Sequence, residues 1–181
     1  MKNPILVVSL VLLFCFAFGC QNKADKAELE KFKAQANVEE QNRALLMSVF
    51  AELNNKNADV YQEMYAPEYR WYFPSANPKG LSREEESGFV KSLWAGFPDC
   101  HWDIEEIVAQ GDRVIVRFVF RGTHTGEYQG LLPTGNKTEI GGIWMGRVKD
   151  GKIVECREED DLLGWMQQMG MELKPKEAEK K

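Results

Sequence analysis

Histidine is almost missing from this 181-residue chain, which has only His101 and His124, and none of its four cysteines falls in a CxxC pair. A structural zinc site therefore has almost nothing to build from, and no metal is expected. A basic surface is missing too. The chain carries 23 basic against 28 acidic side chains, a formal net charge of −5, whereas binding nucleic acid needs a concentrated cationic face to displace counterions from phosphates. No nucleic-acid partner is expected. Gly and Pro, at 15 and 7 residues, are too few for a collagen-like or low-complexity chain. What is present is 44% apolar residues, enough for one well-packed acidic domain but not for two.

The first nineteen residues read as an address. Lys2 is followed by an almost unbroken apolar run from Ile5 to Phe18, then by Gly19 and Cys20. The run is short for a membrane span and gives way to a charged stretch at Gln21, the pattern of a secretory leader. Ala17-Phe18-Gly19-Cys20 resembles a bacterial lipobox, with Phe18 larger than the residue usual at that place. It implies lipidation of Cys20 and anchoring of the chain in a bacterial cell envelope, facing periplasm or exterior. Cys100 and Cys156 then remain for the domain, as two buried thiols in preference to a disulfide.

Four segments follow: a leader over 1–19, a lipidated Cys20 with a solvated helical tether over 20–37, a folded domain over 38–170, and a charged disordered tail over 171–181. The tether is rich in Lys, Glu and Ala, with Leu29 and Phe32 as its large apolar residues. It offers little surface on which to dock. The tail carries Pro175 among Lys and Glu, which favours no packed structure.

Within the domain, Leu45, Leu46, Val49, Phe50 and Leu53 recur at helical spacing, predicting a helix over 38–54. A short helix over 58–65 is expected to end at Pro67, and an aromatic strand over 69–73 at Pro74. Ser82 and Glu85 form a capping box opening a third helix over 83–96. From Trp102 the period changes to two, predicting strands over 102–108, 113–123, 137–149 and 152–160, the last pair joined by an Asp150-Gly151 hairpin turn. A closing helix spans 162–169, with Asp161 as its N-cap. The pattern is α+β: a curved, mostly antiparallel sheet packed on three N-terminal helices, a cone with an open pocket.

The segments Gly122-Thr123-His124-Thr125-Gly126-Glu127, Pro133-Thr134-Gly135, Gly142-Ile143, Asp150-Gly151-Lys152-Ile153-Val154-Glu155 and Leu162-Leu163-Gly164 closely resemble the SnoaL-like ester cyclase or polyketide cyclase branch of the NTF2-like superfamily. The resemblance covers nearly all of residues 38–170 and implies an NTF2-like cone. It also implies intramolecular aldol-type ring closure without metal or cofactor, with a pocket carboxylate as general acid and base. Carried onto this sequence, that acid is Glu158, with Asp160 on the same face by two-residue alternation. A carboxylate in an apolar pocket has a raised pKa and can both take and give a proton.

The chain departs from this family at Trp144, Tyr72 and Cys156, where relatives commonly carry polar groups. Aromatics and a thiol suit holding a flat apolar ligand. The expected pocket is Tyr72, Trp94, Arg117, Trp144 and Cys156, with Arg117 needing a carboxylate such as Glu158 as partner. Trp71, Trp102 and Trp165 are expected in the core, and His124 in its turn is expected to bond loop backbone. The expected partners are an apolar small molecule, the membrane through Cys20, and a second copy of the chain through the outer face of residues 140–148. The functional alternatives are a cofactor-independent enzyme, a non-catalytic binder and a dimerisation module.

Overall fold

The computed structural model describes the backbone of residues 4–172 and 174, with side chains from residue 23 onward. The side chains of the leader and of Cys20, and most of the tail, lie outside the described residues. The chain forms two compact units, Met1–Glu39 and Glu40–Lys181.

One helix, α1, runs from Pro4 to Asn54. The segment from Asp25 through Ala36 is rich in Ala, Glu and Lys and holds neither Pro nor Gly, so helix propensity carries it. Residues 23–38 are exposed throughout, and the few polar links there are local, such as Lys33 Nζ to Glu30 Oε1 at 3.0 Å. Among the described residues no helix is long and apolar enough to cross a membrane.

In the second unit, α1 presents Leu46, Val49, Phe50 and Leu53, all buried. The chain then forms α2 (Val60–Met64), β1 (Tyr65–Tyr72) and α3 (Arg83–Gly96), followed by β2 (His101–Gln110), β3 (Arg113–Thr123), β4 (Lys137–Lys149), β5 (Lys152–Asp160) and α4 (Leu162–Gln168). Pro67 does not close the second helix as expected. It lies inside β1, at the edge of the sheet and within a register shift between Tyr65 and Arg70, where a residue without an N–H is tolerated. α3 starts as predicted: Ser82 Oγ accepts from Glu85 N and Glu85 Oε2 accepts from Ser82 N. Asp161 caps α4, accepting from Gly164 N at 2.8 Å.

The five strands form one curved sheet in the order β1-β5-β4-β3-β2, with β1 parallel to β5 and every other pair antiparallel. The architecture is the expected α+β cone of the NTF2-like fold. β4 alternates buried and exposed along its length, so Ile140, Gly142, Trp144, Gly146 and Val148 share the inner face. Two of these glycines make room for larger neighbours. A Cβ on Gly142 would collide with the Asp160 carboxyl and the Phe118 ring, and one on Gly146 with the Trp144 ring. The Trp144 indole thus lies along its own strand, across Gly146.

Candidate functional site

Between the inner face of the sheet and helices α1 to α4 lies a cavity of about 60 Å³. Its wall is mostly aromatic and aliphatic. Trp71 and Phe73 stack with centroids 4.9 Å apart and planes 3° from parallel, and Phe89 leans on both. Trp102, Trp144 and Trp165 add indoles to the lining, and Phe50, Tyr61, Tyr65 and Phe120 further rings. Pockets for drug-sized ligands run to roughly 300–1,000 Å³, several times the volume of this cavity.

Three carboxyls enter this apolar wall: Glu158 and Asp160 from β5 and Glu86 from α3. No Lys, Arg or His lines it, so none of them has a counter-charge in the cavity. Alternation along β5 puts Glu158 and Asp160 on one face. The cross-strand register sets Glu158 opposite Trp144 and Asp160 opposite Gly142. Glu158 is partly buried, and its Oε2 accepts the indole N–H of Trp71 at 2.7 Å. Asp160 Oδ1 is buried without a hydrogen-bond partner.

Burial dominates their protonation, because the charged form loses water that nothing replaces. Glu158 is pushed well above the ordinary carboxylate range by burial, then by the charges of Asp160 and Glu86, while the Trp71 donor pulls it back. Asp160 is pushed up to about 7 by burial and by the neighbouring Glu159. Adjacent acids of this kind titrate as a unit, the charge of one opposing ionisation of the other.

Glu86 is the residue that sequence reasoning missed. Only 5% of its surface is exposed, and burial raises its pKa to about 8 against the pull of the Tyr69 and Tyr61 hydroxyls. Tyr61 donates to Oε1 at 3.3 Å. Tyr69 lies near enough to act on the charge but makes no hydrogen bond of normal geometry, and Oε2 has no partner. The signal was present. Glu86 continues the apolar stripe of Phe89, Val90 and Leu93 at helical spacing, but it reads as one more acid in the solvated first turn Glu84-Glu85-Glu86.

Of the five expected pocket residues, Trp144 lines the cavity, and Tyr72, Trp94, Arg117 and Cys156 stand outside its lining. Arg117 points to the outer face, where it pairs with Glu105 and, at 3.8 Å, with Glu106; its partner is not Glu158. The buried residues of β3 are the even-numbered Val114, Val116, Phe118 and Phe120, which sends Arg117 outward. Tyr72 follows inward-facing Trp71 and stacks under the Arg157 guanidinium, 4.3 Å from its ring centroid. Trp94 lies under Lys56 Nζ, at 5.9 Å. Cys156 is fully buried on the inner face between Trp71 and Gly146 in register. It and Cys100 are free thiols, and burial raises both. Trp71, Trp102 and Trp165, expected in the core, belong to the cavity wall as well. His124 is fully buried: its main-chain N–H donates to Asn136 O and its carbonyl accepts from Gly135 N, each at 2.9 Å, while its ring Nδ1 lies 3.2 Å from Thr134 Oγ1. Among the described residues no cluster of His, Cys, Asp and Glu is arranged to hold a metal ion.

The model of the SnoaL-like polyketide cyclase family matches residues 44–169. Solved structures share the fold. IdmH of Streptomyces antibioticus, a proposed polyketide cyclase, is 29% identical, with 71% of this chain and 98% of that one covered and a TM-score of 0.62. AclR of Streptomyces galilaeus, a proposed hydroxylase, is 23% identical over 73% and 97% of the two chains, with a TM-score of 0.67. A proposed SnoaL-like polyketide cyclase of Jannaschia is 24% identical over 75% and 95%, with a TM-score of 0.66. A search of curated proteins found no match.

Proposed function

This chain belongs to the SnoaL-like polyketide cyclase family, which matches residues 44–169, and on that premise we propose that its cavity takes a small apolar carbonyl compound and performs cofactor-independent acid–base chemistry on it. The observation that carries this reading is the pair Glu158 and Asp160, side by side on β5 in the wall of a cavity that offers no cation. Near neutral pH such a pair keeps one proton between two carboxyls. The ionised member removes a proton from the carbon next to a carbonyl, leaving an enolate. In ring closure that carbon attacks a second carbonyl of the same molecule, forming the carbon–carbon bond, and the protonated member gives its proton to the new alkoxide. One proton leaves and one returns, so the pair ends with its roles exchanged.

A second reading, a non-catalytic binder, draws support from the aromatic wall and from Trp144 standing opposite Glu158. The two separate on Glu158→Gln. For an enzyme, a bound aryl ketone loses its catalysed α-proton exchange in that variant while its affinity persists; for a binder, neither protein accelerates exchange.

Two further proposals concern setting. Lipidation of Cys20, on the tetrapeptide that ends the apolar leader, would anchor the chain in a bacterial envelope, since acyl chains contribute about 0.8 kcal/mol per buried methylene. Mass spectrometry of detergent-extracted protein reads the acyl mass directly, and an unmodified Cys20 overturns it. Homodimerisation through the outer sheet face draws on a cross-strand row of exposed apolar residues, Val108, Ile115 and Met145, with Ile143 beside it. These side chains form a contiguous apolar strip on an otherwise charged face.

A further inference from the structure

Glu86 has no part in the proton exchange of Glu158 and Asp160, yet it is a buried acid with one oxygen left over. It enters the cavity from the opposite wall, on α3, whereas the pair stands on β5. Its Oε1 is engaged by the Tyr61 hydroxyl at 3.3 Å and its Oε2 is buried with no partner. A buried polar atom without a partner costs about 1–3 kcal/mol, and a ligand that satisfies it recovers that cost.

We propose that Glu86 is a carbonyl-recognition residue, its Oε2 donating a hydrogen bond to the oxygen of a ketone or ester held in the cavity and so turning the adjacent carbon toward Glu158 and Asp160. This rests on the acid–base reading of the same cavity and extends it, because it names the functional group that the site selects. The groups facing Glu86 leave donation as the available role. From α2 comes the Tyr61 phenol, from β1 the phenols of Tyr65 and Tyr69, and from β5 the Cys156 thiol with the carboxyls of Glu158 and Asp160. None is cationic, Glu158 lies within reach of the charges of both Glu86 and Asp160, and α1, β4 and α4 contribute only apolar and indole groups to the wall. A carboxyl among such neighbours keeps its proton through neutral pH, and a protonated carboxyl has an O–H to give. A carbonyl oxygen, an acceptor without a donor, fits it, whereas a carboxylate ligand would bring its charge into a wall without a cation, beside the ionised member of the β5 pair. An enolate forming on that oxygen would strengthen the bond as its charge develops.

The test compares acetophenone with α-methylstyrene, in which the C=O is replaced by C=CH2 at nearly the same shape, by titration calorimetry and ligand-observed NMR. The wild-type chain is expected to prefer the ketone on the order of fivefold to tenfold, the yield of one neutral hydrogen bond. That preference is expected to fade as pH rises through about 8, where Glu86 ionises. Glu86→Gln keeps a neutral donor, so it should retain the preference and lose the pH dependence. Glu86→Leu should bind both compounds alike. A packing role for Glu86 moves neither the pH profile nor the rescue by Gln. Equal binding of the two compounds by the wild type overturns the role of Glu86 and leaves the cavity reading standing, with the Glu86 proton turned to Tyr69 instead. Failure of both compounds to bind overturns the cavity reading and this inference together.

Discussion

Trp71 and Glu158 are joined at 2.7 Å by an indole N–H donated to a carboxyl oxygen, the one hydrogen bond that a side chain makes to the acid pair among the described residues. Trp71 is paired in register with Cys156, two residues before Glu158 on the neighbouring parallel strand, so the indole reaches diagonally along the inner face. The bond favours the ionised form and opposes the burial that raises the Glu158 pKa. Trp71→Phe keeps the ring stack and deletes the donor. The Glu158 pKa should rise further in that variant, read by carbon NMR of labelled glutamate, and stability at neutral pH should fall by about 1 kcal/mol. An unchanged titration would break the link between indole and acid.

The three cavity acids make stability depend on pH in an unusual direction. Glu86 and Asp160 titrate at about 8 and about 7 in the folded chain, and Glu158 is raised as well, whereas unfolded carboxylates titrate near 4. Between these limits the folded chain binds more protons than the unfolded one. Stability is therefore fully present below about pH 4 for these groups and is lost as pH rises through 7 to 8, at about 1.4 kcal/mol per pH unit for each ionising group. Urea midpoints should fall between pH 5 and pH 9, and the fall should be shallower in Glu86→Gln. A wild-type chain that gains stability over that range contradicts the buried-acid description.

Gly142 and Gly146 frame Trp144 on β4, one beneath the Asp160 carboxyl and the other beneath the indole. Gly142→Ala should push Asp160 and Phe118 aside, and Gly146→Ala should lift Trp144, each at a cost of about 1–3 kcal/mol from overpacking. Alanine at exposed Gly141, where a Cβ meets nothing within 4 Å, is the control and should unfold like the wild type. Equal midpoints for all three variants would show that the inner face is not packed as described.

Ile115→Glu, placed in the outer row between Val108 and Met145, should dissociate a dimer built on that face. Sedimentation velocity of the wild type and the variant reads it. Two monomeric profiles would remove the proposed homodimer while leaving the cavity untouched.

The fold was legible because its signals are local. The Ser82–Glu85 capping box, the Asp150-Gly151 turn and the two-residue alternation of β3, β4 and β5 each specify an element from a few neighbouring residues. The same alternation put Glu158, Asp160 and Trp144 on the inner face, and applied to Arg117 it would have sent that side chain outward. The change from tether to domain near Val38 was legible as the point where large apolar residues begin to recur at helical spacing, and the compact units divide close by, between Glu39 and Glu40. Glu86 was hidden: a carboxylate in a helix's first turn satisfies the helix dipole, so its charge outweighs its position on the buried stripe.

Deuterium exchange at C1 of 2-tetralone, followed by NMR in deuterated buffer across pH 5 to 9, tests the acid–base claim most directly. The account predicts exchange above the buffer rate, rising as Asp160 ionises near pH 7 and falling to the buffer rate in Glu158→Gln and in Asp160→Asn, with 2-tetralone still bound by both variants. Exchange at the buffer rate by a wild-type chain that binds 2-tetralone would contradict it and leave a cavity that holds its ligand without acting on it.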